Sequence, residues 1–214
     1  MPKLQIFIYP WLQMLNFRLP STVEYKTKTL LNDLLSLSRF SLVYFGKTFL
    51  THELINILDT NQHTLLIEDQ DLKNEYKSYL SLDLIPNEYK EGKHYYLNVT
   101  DDSMYPTELD ENSPLKSDTD LKEKLKMLSH LDLSPSLADD EVLKLQPKSY
   151  FTIFEWDVLK DESLIYAERL KRNNVHVDIA FYEKIFHGGA LFIDDLDISR
   201  NILDNMIDYM RQNV

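Results

Sequence analysis

The chain has 214 residues, which suits one large domain or a core with an insertion. Its 23 lysines and arginines against 35 aspartates and glutamates leave a net charge of −12, which excludes nucleic acid as a general electrostatic partner. A hydrophobic content of 43% excludes intrinsic disorder, the absence of cysteine excludes disulfides and thiolate chemistry, and 4 glycines leave little material for glycine-rich phosphate loops.

Leu4 to Tyr9 is a short apolar run stopped by Pro10, the pattern of a strand buried on both faces. The uncharged stretch from Leu4 to Phe17 is interrupted by Gln5, Pro10 and Gln13, so the sequence offers no membrane span, and no small-residue cleavage site follows to make it a signal peptide. Leu30, Leu31, Leu34, Leu35, Leu37, Phe40 and Val43 predict a helix ending near Gly46, and Leu54, Ile55 and Leu58 predict a second one opening near Thr51. Residues 60–98 are mixed, and Asp101 to Asp118 reads as an acidic surface loop. Ser117 with Asp120 resembles a capping box before Leu121, Leu125 and Leu128, which predicts a helix from Thr119 to His130.

The last third of the chain is more regular. Ser149 to Glu155 and Val175 to Tyr182 are rich in β-formers, and Asp161 to Asn173 between them carries Leu164, Ala167 and Leu170 at helical spacing. Strand, helix and strand make a parallel βαβ unit. Ile198, Ile202, Leu203, Met206, Ile207 and Met210 describe an amphipathic closing helix, and Asp194, Asp195 and Asp197 read as its acidic entry rather than a calcium loop.

In parallel sheets functional groups gather beyond the carboxyl ends of the strands. Asp157 follows one predicted strand and His187 follows the next, so the two can meet as an oriented imidazole and its carboxylate. The bland alternative is a helix-capping aspartate and a surface histidine. His52, His63, His94, His130 and His176 lack paired metal-ligand spacing and read as solvated or packed, so no metal site is expected.

The segments Ser134 to Asp140, Phe154 to Glu162, Tyr166 to Leu170, Asn174-Val175 and Phe186-His-Gly-Gly189 resemble, in order and spacing, the C-terminal half of the hormone-sensitive-lipase type of α/β-hydrolase, in its arylacetamide deacetylase branch. Gln5 to Gln13 resembles that branch's sixth strand and following loop, and Leu84 to Tyr89 with Gly92 resembles its middle insertion. The resemblance covers the chain and is weakest over residues 21–80. It implies an α/β fold of parallel strands with flanking helices: a first strand and loop in residues 1–20, a helical insertion and connecting segment in 21–133, and a βαβ unit with closing helix in 134–214. It further implies that Asp157 and His187 are the acid and base of a Ser-His-Asp triad in a carboxylic-ester hydrolase acting on small-molecule or lipid esters or amides, without metal or organic cofactor. Asp161 matches a second acidic position, read as a structural cap. Trp11 and Gly188 match substrate-side positions; the resemblance sets Trp11 and the Leu/Phe-rich stretch 30–50 along the acyl pocket, with plain core as the equal alternative.

The family's oxyanion H-G-G-G and nucleophile G-x-S-x-G do not occur in these residues, whose glycines are Gly46, Gly92, Gly188 and Gly189. His187-Gly-Gly-Ala190 is not read as the oxyanion loop, because no elbow follows it. The expectation is a chain that lacks the nucleophile half and is inactive alone; the alternative is a non-catalytic remnant that binds apolar ligands or a partner. Asn98-Val-Thr100 is a glycosylation sequon, and the branch implies the endoplasmic reticulum lumen if the complete protein carries an N-terminal anchor. An interior strand at Gln5 to Tyr9 without its neighbour implies an apolar edge that invites self-association.

Overall fold

A computed structural model describes residues 2–28 and 51–213; the helix expected from Leu30 and the turn at Gly46 lie outside the described residues. Among the described residues three strands form a parallel sheet in the order β1 (Leu4–Ile8), β2 (Lys148–Trp156), β3 (Val177–Phe186). Leu4 pairs with Lys148 and Ile8 with Thr152, while Ser149 pairs with Val177 and Phe154 with Tyr182. Among the described residues, helices α1 (Pro20–Tyr25), α2 (His52–Asp59), α3 (Gln70–Tyr79) and α4 (Thr119–Lys126) come between β1 and β2, with single turns in the chain after α2. Helix α5 (Lys160–Arg172) crosses from β2 to β3, and α6 (Asp197–Asn213) closes the chain.

Strand β2 is central and buried from Ser149 to Glu155, with its side chains alternating between two cores. Phe151 and Ile153 pack on Leu164, Ile165, Ala167 and Leu170 of α5, and Tyr150 and Phe154 pack on Ile202 and Met206 of α6. Each fully buried aliphatic side chain in these layers stabilises by about 1.5–3 kcal/mol. The strand expected to be buried on both faces at the start of the chain is half-buried instead, with Ile8 40% exposed. Among the described residues β1 has one neighbour, β2, which accounts for the difference.

The helix at Thr51 starts where the pattern placed it, with the Thr51 hydroxyl accepting from the Leu54 amide. The cap of α4 differs from the expected capping box. Asp118, not Ser117, accepts from the Leu121 amide at 2.9 Å, since a carboxylate one residue later also complements the helix dipole. The acidic segment from Asp101 to Asp118 is not a plain surface loop: Met104, Tyr105 and Leu115 are buried and pin it to the core. Among the described residues no helix is long and apolar enough to cross a membrane.

Candidate active site

All three strands run in one direction, so residues that follow them collect at one end of the sheet: Tyr9 after β1, Asp157 after β2 and His187 after β3. Asp157 is buried, and both its oxygens are used. Oδ1 accepts from the Leu159 amide at 2.9 Å, and Oδ2 lies 2.9 Å from His187 Nδ1. A carboxylate only accepts, so Nδ1 carries the proton and Nε2 is left with the lone pair of a base. The Asp157 side chain is 2% exposed and that of His187 19%, which leaves the imidazole partly open to solvent while its partner is buried.

The meeting of these residues depends on an irregularity in β3. Phe154 pairs with Tyr182 but Trp156 pairs with Phe186, so β3 carries two extra residues there. Without that bulge Ile185 would lie beside Asp157; with it, His187 does, and because two residues are inserted the alternation of faces is kept. Lys184 holds the bulge in left-handed backbone at φ 57°, and its amide donates to Glu155 Oε2 at 2.9 Å. The other oxygen of Glu155 is ion-paired with Lys93 from the segment between α3 and α4. Burial pushes the Glu155 carboxyl up, but the Lys93 and Lys184 hydrogen bonds outweigh it and hold the group below the usual carboxylate range.

After His187 the chain turns at Gly188, whose φ of 78° explains the glycine. Gly189 then lies so close to Ile185 that a Cβ there would come within 2.4 Å of its Cγ1. The Ser199 hydroxyl donates to the Gly189 carbonyl at 2.7 Å, tying the loop to α6.

On the β1 side, the Tyr9 amide extends the ladder by donating to the Thr152 carbonyl at 2.9 Å, and the residue then adopts φ 36°. Such a conformation costs a bulky residue about 1–3 kcal/mol. Its ring packs on His187 at 4.6 Å between centroids and on Phe154 at 5.1 Å. The following loop is held by Glu162, a buried residue in the first turn of α5. Its carboxyl oxygens accept from the Leu12 amide at 2.5 Å and from Gln13 Nε2 at 3.0 Å. Burial pushes this carboxyl up to about 8, despite those two hydrogen bonds.

Asp161 is not a cap of its own helix. It sits inside the first turn of α5 and accepts from the Ser21 amide at 2.7 Å and the Tyr96 hydroxyl at 2.5 Å, so it joins α1 and the middle segment to the sheet. Trp11 donates from Nε1 to the Gln13 carbonyl at 2.7 Å and packs with the cluster containing Phe17, Val158 and Leu159. Asn98 is exposed on a turn after the single 3-10 turn His94–Tyr96. An apolar cavity of about 370 Å³ is lined by Tyr25, Lys28, Trp156 and Phe186, the last two being the residues just before Asp157 and His187. Tyr9, Glu155 and Glu162 have no part in the sequence-based site. A glutamate beside Asp161 at the start of a predicted helix is the one trace that Glu162 leaves in the sequence.

Residues 123–191 match the family model described as alpha/beta hydrolase fold. The chain is 26% identical over 216 residues to the arylacetamide deacetylase of Rattus norvegicus, covering 99% of this chain and 47% of that protein. It is 30% identical over 191 residues to the arylacetamide deacetylase of Bos taurus, with 89% and 42% covered. It is 28% identical over 193 residues to neutral cholesterol ester hydrolase 1 of Mus musculus, with 89% and 41% covered. The chain thus spans less than half the length of these curated relatives.

Proposed function

We propose that this chain, which groups with the esterase and lipase type of α/β-hydrolases in the arylacetamide deacetylase branch, supplies the acid and base of a Ser-His-Asp triad for carboxylic-ester hydrolysis. The observation that carries the reading is the 2.9 Å contact between His187 Nδ1 and a buried Asp157 oxygen beyond adjacent parallel strands. In this mechanism His187 Nε2 takes the proton of a serine hydroxyl as its oxygen attacks the ester carbonyl. Asp157 keeps the imidazole in the required tautomer and stabilises its positive charge. The same proton then goes to the departing alkoxide, and His187 repeats the cycle with water to free the acid.

Neither G-x-S-x-G nor H-G-G-G occurs in these 214 residues. The serine and the oxyanion donors are therefore proposed to come from residues outside this sequence, and the chain by itself to hydrolyse no ester. The names of the relatives point to arylacetamides and cholesterol esters as the substrate range, apolar acyl compounds that suit the cavity beside Trp156 and Phe186. Trp11 and Gly188 are proposed as contacts on the substrate side. The proposed chemistry calls for no metal or organic cofactor.

Complementation tests this reading. The chain alone, incubated with a short-chain aryl ester and with a fluorophosphonate probe, is expected to show no turnover above a heat-denatured control and no label. Mixed with the N-terminal half of the rat relative, it is expected to give turnover, with the label on the added half. Turnover by the chain alone that vanishes in His187→Ala would contradict an externally supplied nucleophile.

A further inference from the structure

We infer that Tyr9 is a positioning residue for His187: its ring holds the imidazole in the orientation that faces Asp157. The inference deepens the proposed triad, but it stands on contacts within this chain. Tyr9 occupies a position that favours another residue type. Its φ of 36° lies in the left-handed region, where glycine or asparagine is accommodated more easily. A bulky side chain kept in such a conformation is held by what its ring touches. That ring stands edge to plane against the His187 imidazole, at 4.6 Å and an interplanar angle of 65°, and packs on Phe154 behind it at 5.1 Å.

The geometry divides the work among three strand ends. Asp157 fixes one nitrogen of His187 through a hydrogen bond, which alone still allows the ring to swing about that contact. Tyr9, arriving from β1, closes one side of that swing, while Gly188 turns the chain away immediately after the histidine. The Tyr9 hydroxyl is pushed up by burial and then by the Asp157 charge, in keeping with a neutral phenol beside the pair. The aromatic ring, not the hydroxyl, makes the contact. Phenylalanine is therefore an adequate replacement, and an aliphatic residue or glycine is not.

The experiment reads the His187 Nδ1 proton in the full chain by NMR, with imidazole nitrogens labelled, through its downfield resonance and its rate of exchange with water. Tyr9→Phe is expected to leave the resonance and its exchange within twofold of the parent. Tyr9→Leu and Tyr9→Gly are expected to accelerate exchange at least tenfold or broaden the resonance beyond detection. Glycine relieves the backbone strain while removing the ring, so it separates loss of position from loss of folding. Ile6→Ala, in the same apolar cluster, serves as a control for general loosening and is expected to lower Tm without changing the exchange. A protected Nδ1 proton in folded Tyr9→Gly, or its loss in Tyr9→Phe, overturns the inference. No turnover is needed for this readout, so failure of the triad reading in the complementation assay and failure of the Tyr9 inference are separate results.

Discussion

The carboxylate of Glu155 accepts a hydrogen bond from the backbone amide of Lys184 at 2.9 Å, across the bulge that brings His187 beside Asp157. Glu155 is 8% exposed and also bound to Lys93, so it joins the middle of the chain to the last strand. Register at this end of the sheet is set by a side chain as well as by the ladder.

Glu155→Ala is expected to free the Lys184 amide and to leave Lys93 without its partner, at a cost of about 1–3 kcal/mol. Hydrogen exchange at Lys184 measures the first effect directly and should quicken at least tenfold. Glu155→Gln keeps an acceptor and should lie between the two. Unchanged Lys184 exchange in Glu155→Ala would show that the bulge is held by the strands alone.

Glu162 makes stability depend on pH. Its carboxyl is pushed up to about 8 by burial, against about 4.3 in an unfolded chain. The folded state holds this proton more tightly, so the stability it contributes is complete below pH about 4.3 and is lost as pH rises to about 8. His63 is pushed down to about 4 by burial. It acts in the opposite sense, but only below its unfolded value of about 6.5. Between pH about 6.5 and 8, Glu162 is the one of these two that titrates in the folded chain. Urea midpoints are expected to fall across that interval, and to lose most of that slope in Glu162→Gln. An equal slope in the variant would remove Glu162 as the cause.

The sheet was legible where periodicity reports burial. Phe151 and Phe154 face opposite cores through strict alternation, and Leu164, Ala167 and Leu170 mark the inner side of α5, so β2, α5 and β3 could be read directly. Asp157 and His187 were legible as a pair because each follows one of those strands. The bulge was not. Glu183 and Lys184 look like the polar end of a strand, and no local pattern shows that β3 resumes as far as Phe186. The left-handed conformation of Tyr9 was equally hidden, because a tyrosine before proline carries no signal for it. Asp161 was read as a cap, and Glu162 was given no role, because their partners, Ser21 and Tyr96 for the first and Leu12 and Gln13 for the second, lie far away in sequence.

The free side of β1 carries a further expectation. Among the described residues β1 pairs only with β2, and Leu4, Ile6, Phe7 and Ile8 give that side an apolar character with little charge nearby. An unpaired apolar edge recruits other strands. The chain is expected to self-associate in sedimentation despite its net charge of −12, and Ile8→Lys, at the 40% exposed end of the strand, should shift it toward monomer. A monodisperse monomer at all concentrations, with cooperative thermal unfolding, would contradict this and favour an independent module.

The most direct measurement of the central claim is kcat for a short-chain aryl ester in the complemented enzyme, compared among the parent chain, His187→Ala and Asp157→Asn. A loss of at least about 1,000-fold is expected for His187→Ala, and of about 100- to 10,000-fold for Asp157→Asn, whose amide favours the wrong imidazole tautomer. Complemented activity that survives His187→Ala within a few-fold would contradict the assignment of this pair as the base and acid of the triad.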